Sequence, residues 1–265
     1  MAKTIRVGVF DSGIGGLSVL NACQKIAPYM RYYYYGDNEF APYGSRTKRE
    51  ISERVEGAME RFLKLRADVV ILACNTATAL CVDEVRRKYP MPVIGTEPAV
   101  LPAARVCKNA LLLATPRTIE SDRLRRLVER AQGCDFTLFA PPRLVSAIER
   151  YAADGVPVEL KEHLPQGTYD GVVLGCTHYV HLKREISTFY HADVYDGGEG
   201  VAHELLRVLG RDGQPLVGID DHHFEKNDRS CEVGEKWEND TKYGVFFLGK
   251  AQDINKFAYK RLFLS

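Results

Sequence analysis

Short apolar runs alternate with longer amphipathic segments along most of the chain. The apolar runs are rich in β-branched and aromatic residues and are closed by Gly, Asp, Asn or Pro, a pattern that predicts β-strands. The predicted strands cover residues 6–11, 32–36, 67–74, 93–95, 110–115, 136–140, 171–176 and 193–196. The amphipathic segments between them predict helices, and examples are residues 47–65, 77–88, 119–132 and 183–190. Strands that alternate with helices indicate an α/β fold with a mainly parallel sheet, whose ligand sites lie beyond the carboxyl ends of the strands.

The C-terminal stretch is less regular. Residues 212–240 are rich in charge, Gly and Asn, and we expect them to form a loop. A further strand is predicted at 245–248 and a final helix at 254–263.

An internal repeat divides the chain into two similar halves. The segment Asp68-Val-Val-Ile-Leu-Ala-Cys74-Asn-Thr resembles Asp170-Gly-Val-Val-Leu-Gly-Cys176-Thr-His, and the two cysteines are 176 − 74 = 102 residues apart. Each half therefore has a cysteine at the end of a buried strand. We predict two similar α/β domains related by a pseudo-two-fold, with the active site in the cleft between them. The first domain is expected to hold residues 1–97 plus 208–265, and the second residues 98–207.

Composition narrows the class of protein. The 265-residue chain has a formal net charge of +1, so no strong field favours nucleic acid or an anionic membrane surface. The apolar runs are too short to span a bilayer. The N-terminus lacks the pattern of a signal peptide, which favours a cytoplasmic enzyme over a periplasmic-type amino-acid binding protein. The seven cysteines include no CxxC pair, so we expect free thiols and no metal site.

Two matched thiols suggest a specific chemistry. Cys74 and Cys176 each end a strand and precede a helix, where the helix dipole is expected to lower the pKa of a thiol. Inversion of an amino acid needs a base on one face of Cα and an acid on the other. Two opposed thiols could supply both. In an alternative enzyme class, Cys176 attacks as a nucleophile with help from His178, but the second cysteine then has no role.

Two loops lie at the same predicted edge of the first sheet. The glycine-rich segment at 10–18 follows the first strand and allows the backbone to approach an anion. It could indicate dinucleotide binding, with Asp37 as the acidic partner. However, its pattern is GxGG, and Asp11 puts a negative charge where a pyrophosphate would lie. An acidic group there suits a substrate ammonium group or proton transfer to a thiol. The second loop, 35–46, contains Tyr43 and Gly44 and is expected to contact the substrate.

Four segments resemble the bacterial glutamate racemases. They are Asp-Ser-Gly-Ile-Gly-Gly-Leu-Ser at 11–18, Ala-Pro-Tyr-Gly at 41–44, Ala-Cys-Asn-Thr at 73–76 and Gly-Cys-Thr-His at 175–178. Their order and spacing match those of the family. The resemblance extends from residue 5 to about residue 206, with further similarity near 246–257. The nearest alternative is an aspartate racemase, which would act on aspartate in place of glutamate.

The resemblance implies a two-domain α/β fold, glutamate as substrate, no cofactor, a homodimer, and supply of D-glutamate for peptidoglycan. It makes Cys74 and Cys176 the acid–base pair, with Cys74 taking the proton from D-glutamate and Cys176 from L-glutamate. Glu149 fits an acidic position that assists one thiol in some members, although it could equally be a solvated helix carboxylate. The remaining substrate and proton-support positions implied by the resemblance are Asp11, Ser12, Tyr43, Gly44, Asn75, Thr76, Thr115, Thr118, Thr177 and His178.

Overall fold

The computed structural model describes residues 4–210, 238–240, 245–248 and 258. The strands in these ranges are β1 Arg6–Asp11, β2 Arg31–Gly36, β3 Val69–Leu72, β4 Val93–Gly95, β5 Asn109–Ala114, β6 Asp135–Phe139, β7 Gly171–Gly175, β8 Asp193–Asp196, β9 Glu238–Asp240 and β10 Val245–Phe247. The α-helices are α1 Leu17–Ile26, α2 Lys48–Lys64, α3 Asn75–Lys88, α4 Val100–Ala104, α5 Pro116–Ile119, α6 Asp122–Glu129, α7 Leu144–Asp154, α8 Lys183–Tyr190 and α9 Gly198–Val208. Short 3-10 helices occupy Asn38–Phe40, Tyr43–Ser45, Leu160–Glu162 and Thr177–Leu182.

The strands form two sheets with the same internal order. The first sheet has the order β4-β3-β1-β2-β10-β9, and the second has the order β6-β5-β7-β8. All pairs are parallel except the pair of β9 and β10. If β1–β4 are matched with β5–β8 in turn, both sheets run in the order fourth, third, first, second. The predicted α/β fold with two similar domains is confirmed, and the repeat in the sequence corresponds to this shared topology.

Most predicted elements are present, with shifts at their ends. The eight strands predicted before residue 200 all form, but the helix predicted over 119–132 is broken into α5 and α6. The break occurs because Ser121 accepts a hydrogen bond from the backbone N–H of Leu124 and so begins a new helix. Helix α2 begins with a capping box, in which Thr47 and Glu50 bond to each other's backbone N–H.

The C-terminal expectations have mixed outcomes. The predicted strand near 245–248 forms as β10. The predicted loop over 212–240 is wrong at its end, since 238–240 pair with β10 as an antiparallel strand, and residues 211–237 lie outside the described ranges. Of the helix predicted at 254–263, only Ala258 is described; it is helical and buried.

Helix α9 bears on the domain boundary. Its buried residues Val201, Ala202 and Leu205 pack in the same core as Val7 of β1 and Leu20 of α1. The helix therefore covers the first sheet, although the sequence boundary assigns most of it to the second domain. We propose that the first domain comprises 1–97 and 198–265, and the second 98–197.

Two connections join the sheets, one after β4 and one after β8. They run side by side, and Gly197 lies directly against the carbonyl oxygen of Glu97. A side chain at position 197 would collide with that backbone oxygen. The two crossings therefore form one narrow junction, and the carboxyl ends of β1–β3 lie near those of β5 and β7.

Candidate active site

The two predicted cysteines lie in the cleft between the sheets. Cys74 follows β3 and caps α3, and Cys176 follows β7 and precedes a 3-10 helix. Both are nearly inaccessible, with exposed fractions of 4% and 7%. Charge on Cys176 contributes to raising the pKa of Cys74, so the two thiols interact across the cleft. The structure therefore brings together two residues that are remote in sequence and occupy equivalent positions in the repeat.

The pKa of Cys74 differs from the expectation based on its helix position. Burial raises the pKa of the thiol to about 12, and the charge of Asp11 adds to the effect. The backbone N–H of Ala77 and the Ser12 hydroxyl, whose oxygen is 3.6 Å from the sulfur, oppose the rise but are weaker. The predicted lowering by the helix N-terminus is thus wrong for Cys74, because removal from water outweighs the helix dipole.

Cys176 has a different set of neighbours. Its sulfur lies 4.0 Å from Nδ1 of His178, whose Nε2 is 2.6 Å from Oε1 of Glu149. Burial lowers the pKa of His178, but its hydrogen bonds to Cys176 and Glu149 and the charges of both outweigh burial and hold that pKa well above its ordinary value. Burial also raises the pKa of Glu149, yet the His178 contact leaves it lowered overall. Glu149 is therefore a partner of the buried histidine and not a solvated carboxylate.

Asp11 connects the two halves of the cleft. It is fully buried at the end of β1 and accepts hydrogen bonds from the Gly13 backbone N–H and the Thr177 hydroxyl, each at 3.0 Å. Burial raises its pKa, while the charge of His178 is the largest opposing influence. The Thr177 bond crosses from the second half to the first, so both halves of the molecule hold the Asp11 carboxylate.

Three threonine hydroxyls form a second polar contact across the cleft. Oγ1 of Thr76, on α3, lies 2.9 Å from Oγ1 of Thr115 and 3.3 Å from Oγ1 of Thr118. Thr115 and Thr118 are 2.9 Å apart, and all three are buried. Each hydroxyl can donate or accept, so the cluster can reorganise around a substrate carboxylate.

Asn75 has an unused polar atom beside Cys74. Among the described residues, its buried Oδ1 has no hydrogen-bond partner. A buried acceptor without a partner is costly. The ammonium group of an amino acid would satisfy it.

Side chains from the second half of the molecule pack against the glycine-rich loop. A Cβ at Gly15 would lie 2.5 Å from both Nδ1 of His178 and Oγ1 of Thr177, and one at Gly13 would lie 2.5 Å from Oε1 of Glu149. The glycines therefore permit protein side chains to approach, which argues against the alternative of a bound dinucleotide. His181 also reaches this loop, with Nε2 3.2 Å from the Ile14 carbonyl oxygen.

The loop with Tyr43 and Gly44 lies at the same edge. A Cβ on Gly44 would be 2.9 Å from Cβ of Thr115, so Gly44 touches the other half of the cleft. The Tyr43 hydroxyl donates to Oδ2 of Asp37 at 2.7 Å, and Arg54 pairs with the same carboxylate. From the sequence we linked Asp37 only with nucleotide binding. We did not predict a role for Arg54 or His181, because neither belongs to a recognisable motif.

Within the part of the chain that the structure describes, no three His, Cys, Asp or Glu side chains are grouped to hold a metal ion. In the same part, no helix has the length and apolar character needed to cross a membrane.

Comparisons with known proteins agree with this site. The model of the family described as Asp/Glu/Hydantoin racemase matches residues 15–205. A glutamate racemase of Clostridium kluyveri is 34% identical over 267 residues, covering 97% of this chain and 96% of the relative. The crystal structure of Escherichia coli glutamate racemase in complex with L-glutamate and the activator UDP-MurNAc-ala has a TM-score of 0.71 and 30% identity, and covers 82% of this chain and 87% of that one.

A further solved structure has a similar fold. Glutamate racemase isoform RacE1 of Bacillus anthracis has a TM-score of 0.70 and 28% identity, with 83% of this chain and 86% of that chain covered. The resemblance to glutamate racemases noted from the four segments is confirmed. The chain therefore belongs to the Asp/Glu/Hydantoin racemase family and is an isomerase of the amino-acid racemase type.

Proposed function

We propose that this enzyme interconverts L- and D-glutamate without a cofactor, using Cys74 and Cys176 as the acid–base pair. The observation that carries the proposal is the pair of buried thiols, contributed by equivalent strands of two similar sheets to one cleft. Relatives named as glutamate racemases, and an E. coli glutamate racemase solved with L-glutamate, support glutamate as the substrate.

Each direction of the reaction moves two protons. One cysteine thiolate removes the proton from Cα, and the thiol on the opposite face donates its own proton to the resulting carbanion. The first cysteine is then a thiol and the second a thiolate, so the roles are exchanged for the reverse reaction. Following the family resemblance, Cys74 acts on D-glutamate and Cys176 on L-glutamate.

Different polar groups of the cleft bind different parts of the substrate. Oδ1 of Asn75 accepts from the substrate ammonium group, and the hydroxyls of Thr76, Thr115 and Thr118 donate to a carboxylate. Tyr43 and Gly44 line the first half, and Thr177 aligns Asp11. These groups are buried, apart from Gly44, and interactions with charge are stronger where water is excluded.

Because the pKa of Cys74 is raised, the bound substrate itself must help to ionise this thiol. Burial and the Asp11 charge raise the pKa of Cys74 and so favour the protonated thiol. An ammonium group bound at Asn75 brings a positive charge beside both groups, which favours the thiolate. On the other face, His178 supplies the positive charge next to Cys176. A thiolate thus forms when the substrate is in place.

The nucleophilic alternative retains one point of support. Cys176, His178 and Glu149 are aligned in the manner of a nucleophile, a base and an orienting group. In that mechanism Cys74 has no role, and its burial in the same cleft is unexplained. Racemisation uses both thiols and is the better-supported function.

The wider role follows from the family. We propose a cytoplasmic homodimer that supplies D-glutamate for peptidoglycan synthesis, with no nucleic-acid or membrane partner.

A circular-dichroism assay tests the proposed function. Protein that has been treated with a chelator and dialysed is supplied with L-glutamate or D-glutamate, and the ellipticity should decay to zero from either side. Aspartate and alanine should be turned over much more slowly. Activity that disappears on dialysis and returns with a cofactor would contradict the proposal. Comparable rates for all three amino acids would contradict the substrate.

A further inference from the structure

An ion pair between a half-buried arginine and a buried aspartate lies behind the Tyr43 loop. Asp37 follows β2, is 3% exposed, and accepts from Nε of Arg54 at 2.7 Å; a second Arg54 nitrogen contacts its other oxygen. The Tyr43 hydroxyl donates to the same carboxylate. Arg54 comes from the middle of α2, so a helix on the outside of the first sheet reaches the edge where the thiols lie.

The pair also organises the rest of the loop. The guanidinium groups of Arg46 and Arg54 lie 4.2 and 5.3 Å from the centroid of the Phe40 ring, which in turn packs edge-on against Tyr43. A planar guanidinium can bond a carboxylate and stack on an aromatic ring at once. Loss of Arg54 would therefore release both the carboxylate and one side of the Phe40 ring.

The Asp37 carboxylate lies on the Cys74 side of the cleft, next to Asp11. The backbone N–H of Asp37 donates to the carbonyl oxygen of Asp11 at 2.9 Å, so the two aspartates are neighbours at one sheet edge. Tyr43 and Cys74 pack in the same cluster of buried side chains, so Tyr43 lies on the Cys74 side of the cleft. An unpaired Asp37 would add a second buried negative charge on the Cys74 side. Beside Cys176 the ionisable pair is a different one, formed by His178 and Glu149.

We propose that Arg54 and Asp37 are positioning residues that hold Tyr43 beside Cys74, and that Arg54 cancels the Asp37 charge so that it does not oppose formation of the Cys74 thiolate. This inference rests on the proposed two-thiol function. It assigns the pair to one face of the substrate only.

The test follows each proton abstraction separately. A glutamate with a halogen on Cβ needs only removal of the Cα proton: the electron pair forms a Cα–Cβ double bond, halide leaves, and the enamine hydrolyses to a keto acid and ammonia. The Cys74-dependent enantiomer is identified as the one that Cys74→Ser fails to process. Elimination from both enantiomers is then measured for Arg54→Met, Asp37→Asn and the double variant. Arg49→Met, on the same helix and in an exposed pair with Glu53, is the matched control.

In Arg54→Met, we expect elimination from the Cys74-dependent enantiomer to fall between about tenfold and about a hundredfold, as for a misplaced catalytic group. Elimination from the other enantiomer should change no more than in the control. The double variant should recover most of the lost rate, because the asparagine side chain that replaces Asp37 carries no charge and still accepts from Tyr43. If Arg54→Met does not fold, Arg54→Lys replaces it, with a smaller loss for the same enantiomer.

Equal losses for both enantiomers, or no recovery in the double variant, would show that the pair is only structural and would overturn the inference. Wild-type protein that neither racemises glutamate nor eliminates halide would instead overturn the proposed function itself. If the wild type is active and Arg54→Met matches the Arg49→Met control, the function stands and the inference fails.

Discussion

The two thiols have chemically different neighbours. Cys74 lies near the Asp11 carboxylate and the Ser12 hydroxyl, and Cys176 lies beside His178 and Glu149. Burial and the Asp11 charge raise the pKa of Cys74, whereas Cys176 has the His178 imidazole as its neighbour. At the scale of single residues, the cleft is therefore asymmetric although the repeat is regular.

Replacing either thiol should separate the two proton transfers. In Cys74→Ser and Cys176→Ser, we expect racemisation nearly to vanish, because a serine hydroxyl is a far weaker acid and base. With halogenated glutamate, each variant should process one enantiomer and spare the other, with opposite preferences. Retention of substantial racemisation by either variant, or loss of the same enantiomer by both, would mean that the repeat is only architectural. Ammonia release and circular dichroism measure the two activities.

Glu149→Gln should affect only the Cys176 face. Without the carboxylate, the raised pKa of His178 should fall, and elimination from the Cys176-dependent enantiomer should drop by about tenfold to about a hundredfold, at the low end of acid–base effects. Elimination from the other enantiomer serves as the internal control. An equal loss for both enantiomers would count against a role of Glu149 through His178.

The same variant has a pH-dependent stability. Because the pKa of His178 is raised, protonation of this residue stabilises the fold at low pH, and the contribution is lost as pH rises through the raised pKa. Because the pKa of Glu149 is lowered, its ionised carboxylate stabilises the fold above the ordinary glutamate pKa, and that contribution is lost as pH falls through the lowered pKa. The stability difference from wild type should thus be largest between the ordinary pKa values of the two groups, 4.5 for Glu149 and 6.5 for His178, and should reach about 2 kcal/mol there. Urea unfolding at several pH values measures it, and a difference that does not vary with pH would contradict the pairing.

From the sequence we predicted the two cysteines that the structure places in the cleft, but not the electrostatics around them. The motifs were sufficient to identify Cys74 and Cys176, because each combines a buried strand end with polar residues that follow. The raised pKa of Cys74 could not be predicted, since it depends on burial by the opposite half and on the Asp11 charge. Arg54 was missed for a related reason: it contacts Asp37 only because α2 folds back over the sheet.

At the scale of elements, the parallel strands were predictable from their composition. Buried strands β3 and β7 are continuous apolar runs, as expected for strands covered on both faces. Helix α9 was missed because Gly198 and Gly200 at its start are poor helix formers. Its position is set by packing of Val201 and Leu205 on the first core, which sequence periodicity alone does not reveal.

The junction between the sheets can be tested with two glycines of the same segment. Gly197→Ala would place a methyl group against the Glu97 carbonyl oxygen. This oxygen belongs to the backbone, so it cannot move away by a side-chain rotation. We expect the unfolding free energy to fall by about 1–3 kcal/mol. Gly200→Ala, in α9 with open space around it, should instead gain about 0.5–1 kcal/mol from helix propensity. Urea unfolding compares both with wild type, and equal effects would refute the close contact.

At the scale of the whole molecule, the C-terminal strand supports the edge of the first sheet that faces the cleft. Phe247, on β10, packs edge-on against Tyr34, whose hydroxyl donates to the Gly13 carbonyl oxygen at 2.6 Å. Strand β10 also extends the first sheet beside β2. A segment distant in sequence therefore holds the glycine-rich loop next to Asp11.

Phe247→Ala should weaken both the fold and the site. Loss of a fully buried aromatic ring is expected to cost about 3–5 kcal/mol, and release of Tyr34 should raise KM for glutamate. Phe246→Ala is the comparison: its half-buried ring stacks on Tyr33, on the other face of the sheet. It should cost less stability and leave KM close to wild type. A KM increase as large for Phe246→Ala would show that the glycine loop does not depend on Tyr34.

The shared strand order of the two sheets has a stereochemical consequence. Both halves are built from L-residues, so one can be superposed on the other only by rotation and never by reflection. The environments presented to the two mirror-image substrates are consequently diastereomeric. Enantiomers have equal free energies in water, which forces kcat/KM to be identical in the two directions. The separate values of kcat and KM are under no such constraint, and a scaffold without a mirror plane will make them unequal for the two hands of the same amino acid.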